Sequence, residues 1–270
     1  MTIFQVGVGS GGIVVLDLVM REPTVRKIVL VEPDVYKSHN VHRHLFPPSD
    51  VGQLKVKLAA EWVRRFRPDV EVVPLAVDVT DPIHQAELYS HVAVCDLGVC
   101  AVDSESAKYH IDAMMRKHRK PWTMGEVLSG GIGGWVHRFV PGGACYGCLA
   151  SHLQRAMPTD NTPPPADYAD PNATRPETAI PASRASISVI ASLQALTSLE
   201  LVAGKEAGFS SLLLSLAVAD GIFTEALRPY RFRIARTPGC LVCGVDQDDG
   251  LSGEQLDVAL DQALARLAHE

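Results

Sequence analysis

Several features that would direct a chain to a membrane, to nucleic acid or out of the cell are absent from this sequence. No apolar run approaches the ~20 residues that a membrane-spanning helix requires. The net charge of −6 argues against a general binder of nucleic acid or of an acidic membrane. Residues 1–8 lack the basic segment that opens a signal peptide. We therefore expect a cytoplasmic protein with neither a membrane nor a nucleic-acid partner.

The composition is that of an ordinary globular protein. Hydrophobic residues make up 47% of the 270 positions and charged residues 21%, which suffices for a large core. Strand-like and helix-like segments alternate through the first half of the chain, an order typical of a mostly parallel, doubly wound α/β sheet. The strands are predicted at 3–8, 27–31, 70–77, 92–95 and 121–124, and the helices at 13–20, 53–66, 82–88 and 103–119.

The second half of the chain has a different character. Glycine-rich residues 125–143 predict twisted antiparallel strands, and segments 212–218 and 230–234 are expected to extend them. Between them, a helix is predicted over residues 183–202, with Gly204 just beyond its end. We therefore expect the parallel sheet to continue into antiparallel strands.

A proline-rich stretch interrupts this second half. Residues 158–181 contain seven prolines, which exclude a helix or a central strand and predict a long exposed loop. We therefore expect one domain over 1–250 with a crossover loop at about 155–182. Residues 251–270 are expected to form a C-terminal helix or tail.

A glycine motif directly follows the first predicted strand. Gly7, Gly9 and Gly12 have the spacing of a turn that lets backbone N–H groups at a helix N-terminus approach a phosphate. Glu32 lies 20 residues beyond Gly12, at the end of the next predicted strand, where an acid usually hydrogen-bonds ribose hydroxyls. The motif predicts a nucleotide site, with a purely structural glycine turn as the alternative.

Two Cys-x-x-Cys pairs, Cys145 with Cys148 and Cys240 with Cys243, predict a metal site. Four thiolates at this spacing suit a tetrahedral structural zinc ion. Without a secretion signal, such pairs more often hold a metal than form disulfides. A site of four cysteines has no open position for water, so we expect it to be structural and to tie the late strands to the middle of the chain.

Further motifs follow the glycine turn, and their order is more specific than any one of them. In this order the sequence resembles the ubiquitin-activating-enzyme superfamily, specifically its compact bacterial adenylyltransferases of the ThiF/MoeB/HesA type, over roughly residues 3–244. The motifs are the glycine turn, Glu32-Pro33-Asp34, Asn40-Val41-His42-Arg43, Gly52-Gln53-Leu54-Lys55, Asp103-Ser104-Glu105-Ser106-Ala107-Lys108-Tyr109 and the two cysteine pairs, the first of them Cys145-Tyr146-Gly147-Cys148.

The resemblance implies ATP, Mg²⁺ and Zn²⁺ as ligands and gives roles to particular residues. Arg43 and Lys55 would place positive charge on phosphate oxygens, and Asp103 would hold Mg²⁺. These three residues would carry catalysis, although each taken singly could be a surface charge or a helix cap. The implied nucleotide-binding residues are Gly7, Gly9, Gly11, Gly12, Glu32, Asp34, Asn40, Arg43 and Lys55.

The sequence departs from the family pattern around the predicted magnesium ligand. Ser104 and Lys108 stand where the family has Asn and Arg. Asp103 comes into register only if a few extra residues follow the predicted fourth strand, which leaves Asp96 as a rival magnesium ligand. Relatives usually have a helix before the first strand that supplies an arginine to the partner subunit's ATP site. The residue that would replace this arginine is left open.

Histidines and free cysteines offer two further candidates. His42 and His44 replace Asn and Gln of the family pattern, and with His39 they could form a second metal cluster. Loop or phosphate-contact histidines are the favoured interpretation. Of the two cysteines outside the pairs, Cys95 and Cys100, only Cys100 lies where a nucleophile would be useful, but a buried apolar filler is favoured.

The implied activity is ATP-dependent adenylylation of the C-terminal carboxylate of a small ubiquitin-like or sulfur-carrier protein, with a C-terminal Gly-Gly expected in that partner. The product would be an acyl-adenylate with release of pyrophosphate. The protein would form a homodimer. One alternative is a non-catalytic scaffold half of an activating-enzyme complex, and a second is a nicotinamide-dependent oxidoreductase, which the glycine motif alone would allow.

Overall fold

The computed structural model describes residues 1–154 and 182–244, which form a mixed α/β domain around one eight-stranded sheet. The strand order is β3-β2-β1-β4-β5-β6-β7-β8. Strands β1 to β5 run parallel, and β6 to β8 continue the sheet in antiparallel fashion. The predicted fold class is confirmed. The strands are β1 Thr2–Val6, β2 Lys27–Val31, β3 Glu71–Leu75, β4 Leu97–Cys100, β5 Trp122–Val127, β6 Gly133–Phe139, β7 Ser211–Ser215 and β8 Pro229–Phe232.

Helices cover both faces of this sheet because the inner strands are apolar on both faces. Along β1, Ile3 packs in one hydrophobic cluster and Phe4 in the other, as expected when successive strand side chains point to opposite faces. The first cluster includes apolar residues of α1, α2 and α6, and the second includes those of α3, α4 and α5. The helices are α1 Gly12–Val19, α2 Lys55–Phe66, α3 Gln85–Val94, α4 Glu105–Lys117, α5 Tyr146–His152 and α6 Arg184–Val202.

The fourth strand does not lie where the sequence predicted it. Residues 92–95 were expected to form this strand, but Val92 and Val94 belong to the last turn of α3, and the strand is Leu97–Cys100. Both segments are short apolar runs, which periodicity alone cannot assign to a helix or a strand. The correction removes the need for extra residues before Asp103, which comes three positions after the strand ends at Cys100.

Asp96 precedes this strand and lies at the opposite end from the site proposed for magnesium. Its carboxylate Oδ2 accepts a hydrogen bond of 2.7 Å from the backbone N–H of Thr2, at the start of β1. The carboxyl ends of the parallel strands, where α/β proteins bind ligands, are at the other edge. Asp96 is therefore a poor rival to Asp103.

Helix α6 is long and apolar enough to span a membrane by length and composition alone. It contacts α1, β5 and β6, and it makes buried hydrogen bonds to the strands: Thr123 Oγ1 with Ser198 Oγ at 2.7 Å, and Gln194 Nε2 to the Cys100 carbonyl at 2.8 Å. This packing accounts for its apolar character. The predicted helix over 183–202 is confirmed, with the Ser183 hydroxyl capping it.

The predicted crossover loop, apart from Ala182, and the predicted C-terminal helix or tail lie outside the described residues. The division into these segments therefore stays a prediction.

The glycine turn, which connects β1 to α1, packs closely against the residue that follows β4. Gly7 has a φ of +93°, and a Cβ there would lie 2.4 Å from the Ala101 carbonyl oxygen. A Cβ on Gly12 would lie 2.3 Å from the Gly7 carbonyl oxygen. The buried Gln5 amide donates to the carbonyls of both Gly7 and Gly12, at 3.0 and 2.8 Å. No larger residue fits at either glycine without moving backbone.

This packing predicts unequal effects of alanine at two glycines of the motif. Gly12→Ala should destabilise the fold by about 2 kcal/mol or more, because the added methyl meets backbone that cannot rotate away. Gly9→Ala is the matched control, because a Cβ there meets nothing within 4 Å. Urea unfolding measures both free energies, and equal stabilities for the two variants would contradict this account.

Candidate functional site

A cleft of about 720 Å³ opens at the carboxyl ends of the parallel strands. It lies where the strand order turns back, with β1 and β4 adjacent and their following helices on opposite faces, which is where open α/β sheets bind ligands. Every residue predicted to bind the nucleotide or Mg²⁺ lines this cleft except Gly12, whereas the four cysteines predicted to hold zinc do not. The predicted residues in the cleft are Gly7, Gly9, Gly11, Glu32, Asp34, Asn40, Arg43, Lys55 and Asp103.

The glycine turn offers a ready place for phosphate. The backbone N–H groups of Gly9, Ser10 and Gly11 have no hydrogen-bond acceptor within the described chain, and all three residues line the cleft at the start of α1. Unpaired N–H groups at a helix N-terminus, together with the helix dipole, favour an anion. The open space around the Gly9 Cα leaves room for one.

Two cationic side chains, Lys55 and Arg43, line the same cleft and differ in their contacts. The Lys55 side chain is only 10% exposed, and its Nζ lies 2.7 Å from Asp34 Oδ2. The Arg43 guanidinium has no ion pair or hydrogen bond with any residue that the structure describes. Lys55 is thus held in place by a carboxylate, whereas Arg43 is free to contact phosphate oxygens with its planar fork.

Glu32 is held by backbone groups at the end of β2. Its carboxylate accepts hydrogen bonds from the N–H groups of Val8 at 2.9 Å and Asp34 at 3.1 Å. Burial raises the pKa of Glu32, and the nearby Lys55 ammonium opposes this effect. Each carboxylate oxygen retains a second acceptor position, so the side chain is fixed but can still accept a hydroxyl hydrogen bond.

Asn40 and Asp103 lie on opposite sides of the cleft. Asn40 Oδ1 accepts a hydrogen bond of 2.9 Å from the Lys37 backbone and closes a short turn over Ser38–Asn40. Asp103 is exposed and has no hydrogen-bond or ion-pair partner in the described ranges. Ser104, which stands where the family pattern has Asn, caps α4 through its hydroxyl. Asp103 therefore presents an unpaired carboxylate to the cleft, as a magnesium ligand requires.

Sequence reasoning missed acidic and polar residues on the β5 side of the cleft. Glu126 in β5 and Gln194 in α6 both line it, together with Lys108, which the sequence singled out only as a replacement for Arg. Glu126 follows a glycine in a strand without any motif, so the sequence offers no signal for it. The distance of 2.6 Å between Lys108 Nζ and Glu126 Oε1 depends on how α4 packs against β5.

The three loop histidines do not form a metal site. His44 is buried, with Nε2 2.9 Å from the Val8 carbonyl oxygen, whereas His42 is exposed. Within the described residues, the cysteine cluster is the only group arranged to hold a metal ion. Burial lowers the pKa of His44 to about 4, and its Nδ1 has no hydrogen-bond partner. His44 is therefore a neutral core side chain.

The two cysteines outside the Cys-x-x-Cys pairs are buried and poorly reactive. Cys95 and Cys100 are both fully inaccessible. Burial raises the pKa of the Cys95 thiol to about 11 and that of Cys100 to about 12. Because the thiolate is the nucleophile, neither side chain is suited to attack an activated carboxyl group, and the apolar-filler interpretation of Cys100 is favoured.

The four cysteines of the two Cys-x-x-Cys pairs lie close together, as predicted. The sulfur atoms of Cys145, Cys148, Cys240 and Cys243 all lie within 4.8 Å of one another. Three of their separations are 3.7, 3.6 and 3.5 Å, against about 3.8 Å for thiolates around a tetrahedral zinc ion. Backbone N–H groups of Thr237 and Cys148 point at two of the sulfurs, at 3.3 and 3.4 Å, which stabilises thiolates. The donor set fits zinc.

Comparison with known proteins places this geometry in a family. A model of the ThiF family matches residues 1–241. The chain belongs to the ThiF family. The cleft, the cysteine cluster and the mixed sheet described above are thus features of a ThiF-family chain, as the order of its motifs predicted.

Curated relatives are named activating enzymes. The chain is 27% identical over 221 residues to the SAMP-activating enzyme E1 of Haloferax volcanii, covering 82% of this chain and 72% of that protein. It is 28% identical over 157 residues to ubiquitin-like modifier-activating enzyme 5 of Drosophila willistoni, covering 54% of this chain and 38% of that protein. The chain thus spans well under half the length of this second relative.

Solved structures share the fold at low identity. The structure of E. coli MccB with ATP is similar with a TM-score of 0.63 and 17% identity, covering 90% of this chain and 66% of that one. PaaA is similar with a TM-score of 0.61 and 15% identity, covering 87% of this chain and 64% of that one. At these identities the likeness shows the fold alone.

The cysteine cluster predicts one zinc ion per chain. Cys240→Ser should lose the metal and lower the unfolding temperature, because structural zinc sites supply folding free energy directly. Cys95→Ala is the matched control, since that thiol is buried elsewhere and should leave the metal content unchanged. Metal analysis of the purified proteins checks this, and full zinc content in Cys240→Ser would contradict it.

His44 predicts a loss of stability in mild acid. Its pKa is about 4 in the folded protein and about 6.5 in the unfolded chain, so the unfolded chain binds more protons between these values. The contribution of neutral His44 to the free energy of unfolding is present above pH 6.5 and declines as the pH falls towards 4. The free energy of unfolding is lower by about 2 kcal/mol at pH 5. Urea unfolding at pH 7 and pH 5 measures this loss. It should shrink in His44→Phe and persist in His42→Gln.

Proposed function

We propose that this chain binds ATP with Mg²⁺ and adenylylates the C-terminal carboxylate of a small ubiquitin-like or sulfur-carrier protein. The observation that carries the proposal is that Arg43, Lys55 and Asp103 meet the glycine turn in one cleft of a ThiF-family chain. This arrangement puts two cations and one carboxylate in the same cleft as the N–H groups of Gly9, Ser10 and Gly11, which have no acceptor among the described residues. A triphosphate with its metal ion complements such a set of charges.

Different residues of the cleft bind different parts of the nucleotide. Glu32, fixed by two backbone N–H groups, accepts a hydrogen bond from the ribose at the β2 end. The free N–H groups of Gly9 to Gly11 bind phosphate oxygens, and Asn40 orients the chain of phosphates with its amide. Asp103 would hold Mg²⁺, which when bound neutralises phosphate charge. Lys55 reaches the phosphates from its ion pair with Asp34.

The reaction needs stabilisation of charge more than proton transfer. An oxygen of the substrate carboxylate forms a bond to the α-phosphorus, and the bond from that phosphorus to the pyrophosphate oxygen breaks. The negative charge that develops on the phosphoryl oxygens is stabilised by the Arg43 guanidinium and the Lys55 ammonium. The carboxylate is already ionised at neutral pH, so no general base is required.

The names of the relatives support the class of protein substrate. One relative is named a SAMP-activating enzyme, and others are named ubiquitin-like modifier-activating enzymes. A carrier ending in Gly-Gly would enter the cleft with its last two residues unhindered, because glycine has no side chain to clash with the walls. We further propose a homodimer in the cytoplasm. Family membership favours the adenylyltransferase over the nicotinamide-dependent oxidoreductase.

Exchange of labelled pyrophosphate into ATP, stimulated by a small β-grasp protein ending in Gly-Gly, tests the proposal. Arg43→Ala and Asp103→Asn should each lower the exchange rate by about 10²–10³-fold, as loss of a charge-stabilising group does. The matched controls are Lys57→Ala, an exposed position on α2, and Asp96→Asn at the far edge of the sheet. Both should retain the wild-type rate.

The remaining outcomes separate the other hypotheses. Nucleotide binding without exchange, for every carrier tried, would favour the non-catalytic scaffold. Tight binding of NAD in preference to ATP would favour the oxidoreductase. Equal loss of exchange in Asp96→Asn and Asp103→Asn would contradict the assignment of Asp103.

A further inference from the structure

A chain of short polar contacts connects the first cysteine pair to the floor of the cleft. The hydroxyl of Tyr146, which lies between Cys145 and Cys148, donates to Glu105 Oε2 at 2.5 Å. The other oxygen of Glu105 accepts from Lys108 Nζ at 2.7 Å, and the same ammonium donates to Glu126 Oε1 at 2.6 Å. Four side chains from α5, α4 and β5 are thus linked in series.

Lys108 and Glu126, at the inner end of this series of contacts, are too buried to be ordinary surface charges. The side chain of Lys108 is 5% exposed and that of Glu126 14%. Burial alone would lower the pKa of Lys108, but the carboxylates of Glu126 and Glu105 outweigh it and raise the pKa above its usual value. Lys108 is therefore a cation at neutral pH, and its contacts are charge-assisted hydrogen bonds.

A second element fixes Glu126 from behind. Its Oε2 lies 3.4 Å from Nε2 of the buried His137 in β6, and Nδ1 of that ring lies 2.8 Å from the Ser211 hydroxyl in β7. The carboxylate is thus held on one side by Lys108 and on the other by the antiparallel strands. A side chain held at both oxygens has a defined direction.

Lys108 and Glu126 line the β5 end of the cleft. Glu32 follows β2 and Glu126 lies in β5, three strand spacings away across β1 and β4, which is about 14 Å. If the ribose is at Glu32 and the phosphates are at the glycine turn, the β5 end is left for the substrate that meets the α-phosphate. This step rests on the proposed function.

We propose that Glu126 and Lys108 are positioning residues for the C-terminal tail of the protein substrate, and that Tyr146 sets their placement from the cysteine cluster. The Glu126 carboxylate accepts backbone N–H groups of the extended tail. Lys108 balances its charge, because an unpaired carboxylate would repel the terminal carboxylate that must reach the α-phosphate. Tyr146 fixes Glu105 and, through it, the ammonium.

Tyr146→Phe tests the outer link without removing the ring. We expect an increase of about tenfold in the KM for the carrier protein in pyrophosphate exchange, since a hydrogen bond to a charged group is lost. The KM for ATP and the zinc content should stay at their wild-type values. Tyr109→Phe is the matched control, because Tyr109 packs edge-on against Tyr146 at 4.9 Å but its hydroxyl has no hydrogen-bond partner in the described residues.

Glu126→Gln tests the inner link, because it keeps the shape and removes the charge. It should raise the KM for the carrier at least as much as Tyr146→Phe, again without changing the KM for ATP. An active wild-type chain whose carrier KM is the same in Tyr146→Phe, Glu126→Gln and Tyr109→Phe would overturn this inference alone. Loss of zinc in Tyr146→Phe would overturn the positioning role of Tyr146, because the hydroxyl would then serve the metal site.

Failure of the proposed function gives a different result. A wild-type chain that shows no exchange and no calorimetric binding of any β-grasp carrier ending in Gly-Gly would overturn both proposals. Carrier binding without exchange would leave the inference testable by the same variants, with the dissociation constant of the carrier replacing its KM. An increase of about tenfold in that constant for Tyr146→Phe, and none for Tyr109→Phe, would support it.

Discussion

The site depends on the close approach of three backbone segments at the glycine turn. Gly7 lies against the Ala101 carbonyl, and Gly12 lies against the Gly7 carbonyl, with Gln5 bonded to both glycine carbonyls from inside the sheet. This contact brings the start of α1 next to the segment that follows β4. Because Asp103 belongs to that segment, the backbone itself brings the turn proposed to bind phosphate close to the proposed magnesium ligand.

The cleft combines groups that are already held in place with groups that have no partner in the described residues. Arg43, Asp103 and the N–H groups of Gly9 to Gly11 have no partners in the described residues, while Lys55 and Glu32 are held by Asp34 and by backbone groups. Fixed groups need little reorganisation when charge develops on a phosphoryl oxygen. The unpaired groups are left where a triphosphate and its metal ion would satisfy them.

Sequence reasoning succeeded where chemistry requires a residue type at a fixed spacing. Glycines that tolerate close backbone approach, an acid after β2 and paired cysteines are local patterns, and the structure brings them to one cleft and one cluster. The failures have a different physical origin. Residues 92–95 and 97–100 are both short apolar runs, so tertiary packing decided which one entered the sheet. Glu126 is recognised as a site residue from its contacts across α4, β5 and β6, which no local pattern encodes.

The burial of the thiols limits what can follow the proposed adenylylation. All six cysteines of the chain lie in the described ranges: four form the cluster, and Cys95 and Cys100 are enclosed in the core with raised pKa values. A thioester on Cys95 or Cys100 would require the core to open, and one on a cluster cysteine would cost a metal ligand. If the proposed reaction takes place, its acyl-adenylate would therefore pass to a nucleophile other than these six thiols, such as a thiol or an amine of another molecule. With the substrate tail placed as proposed, such a nucleophile would meet the activated carbonyl at the β5 end of the cleft, beside Lys108 and Glu126.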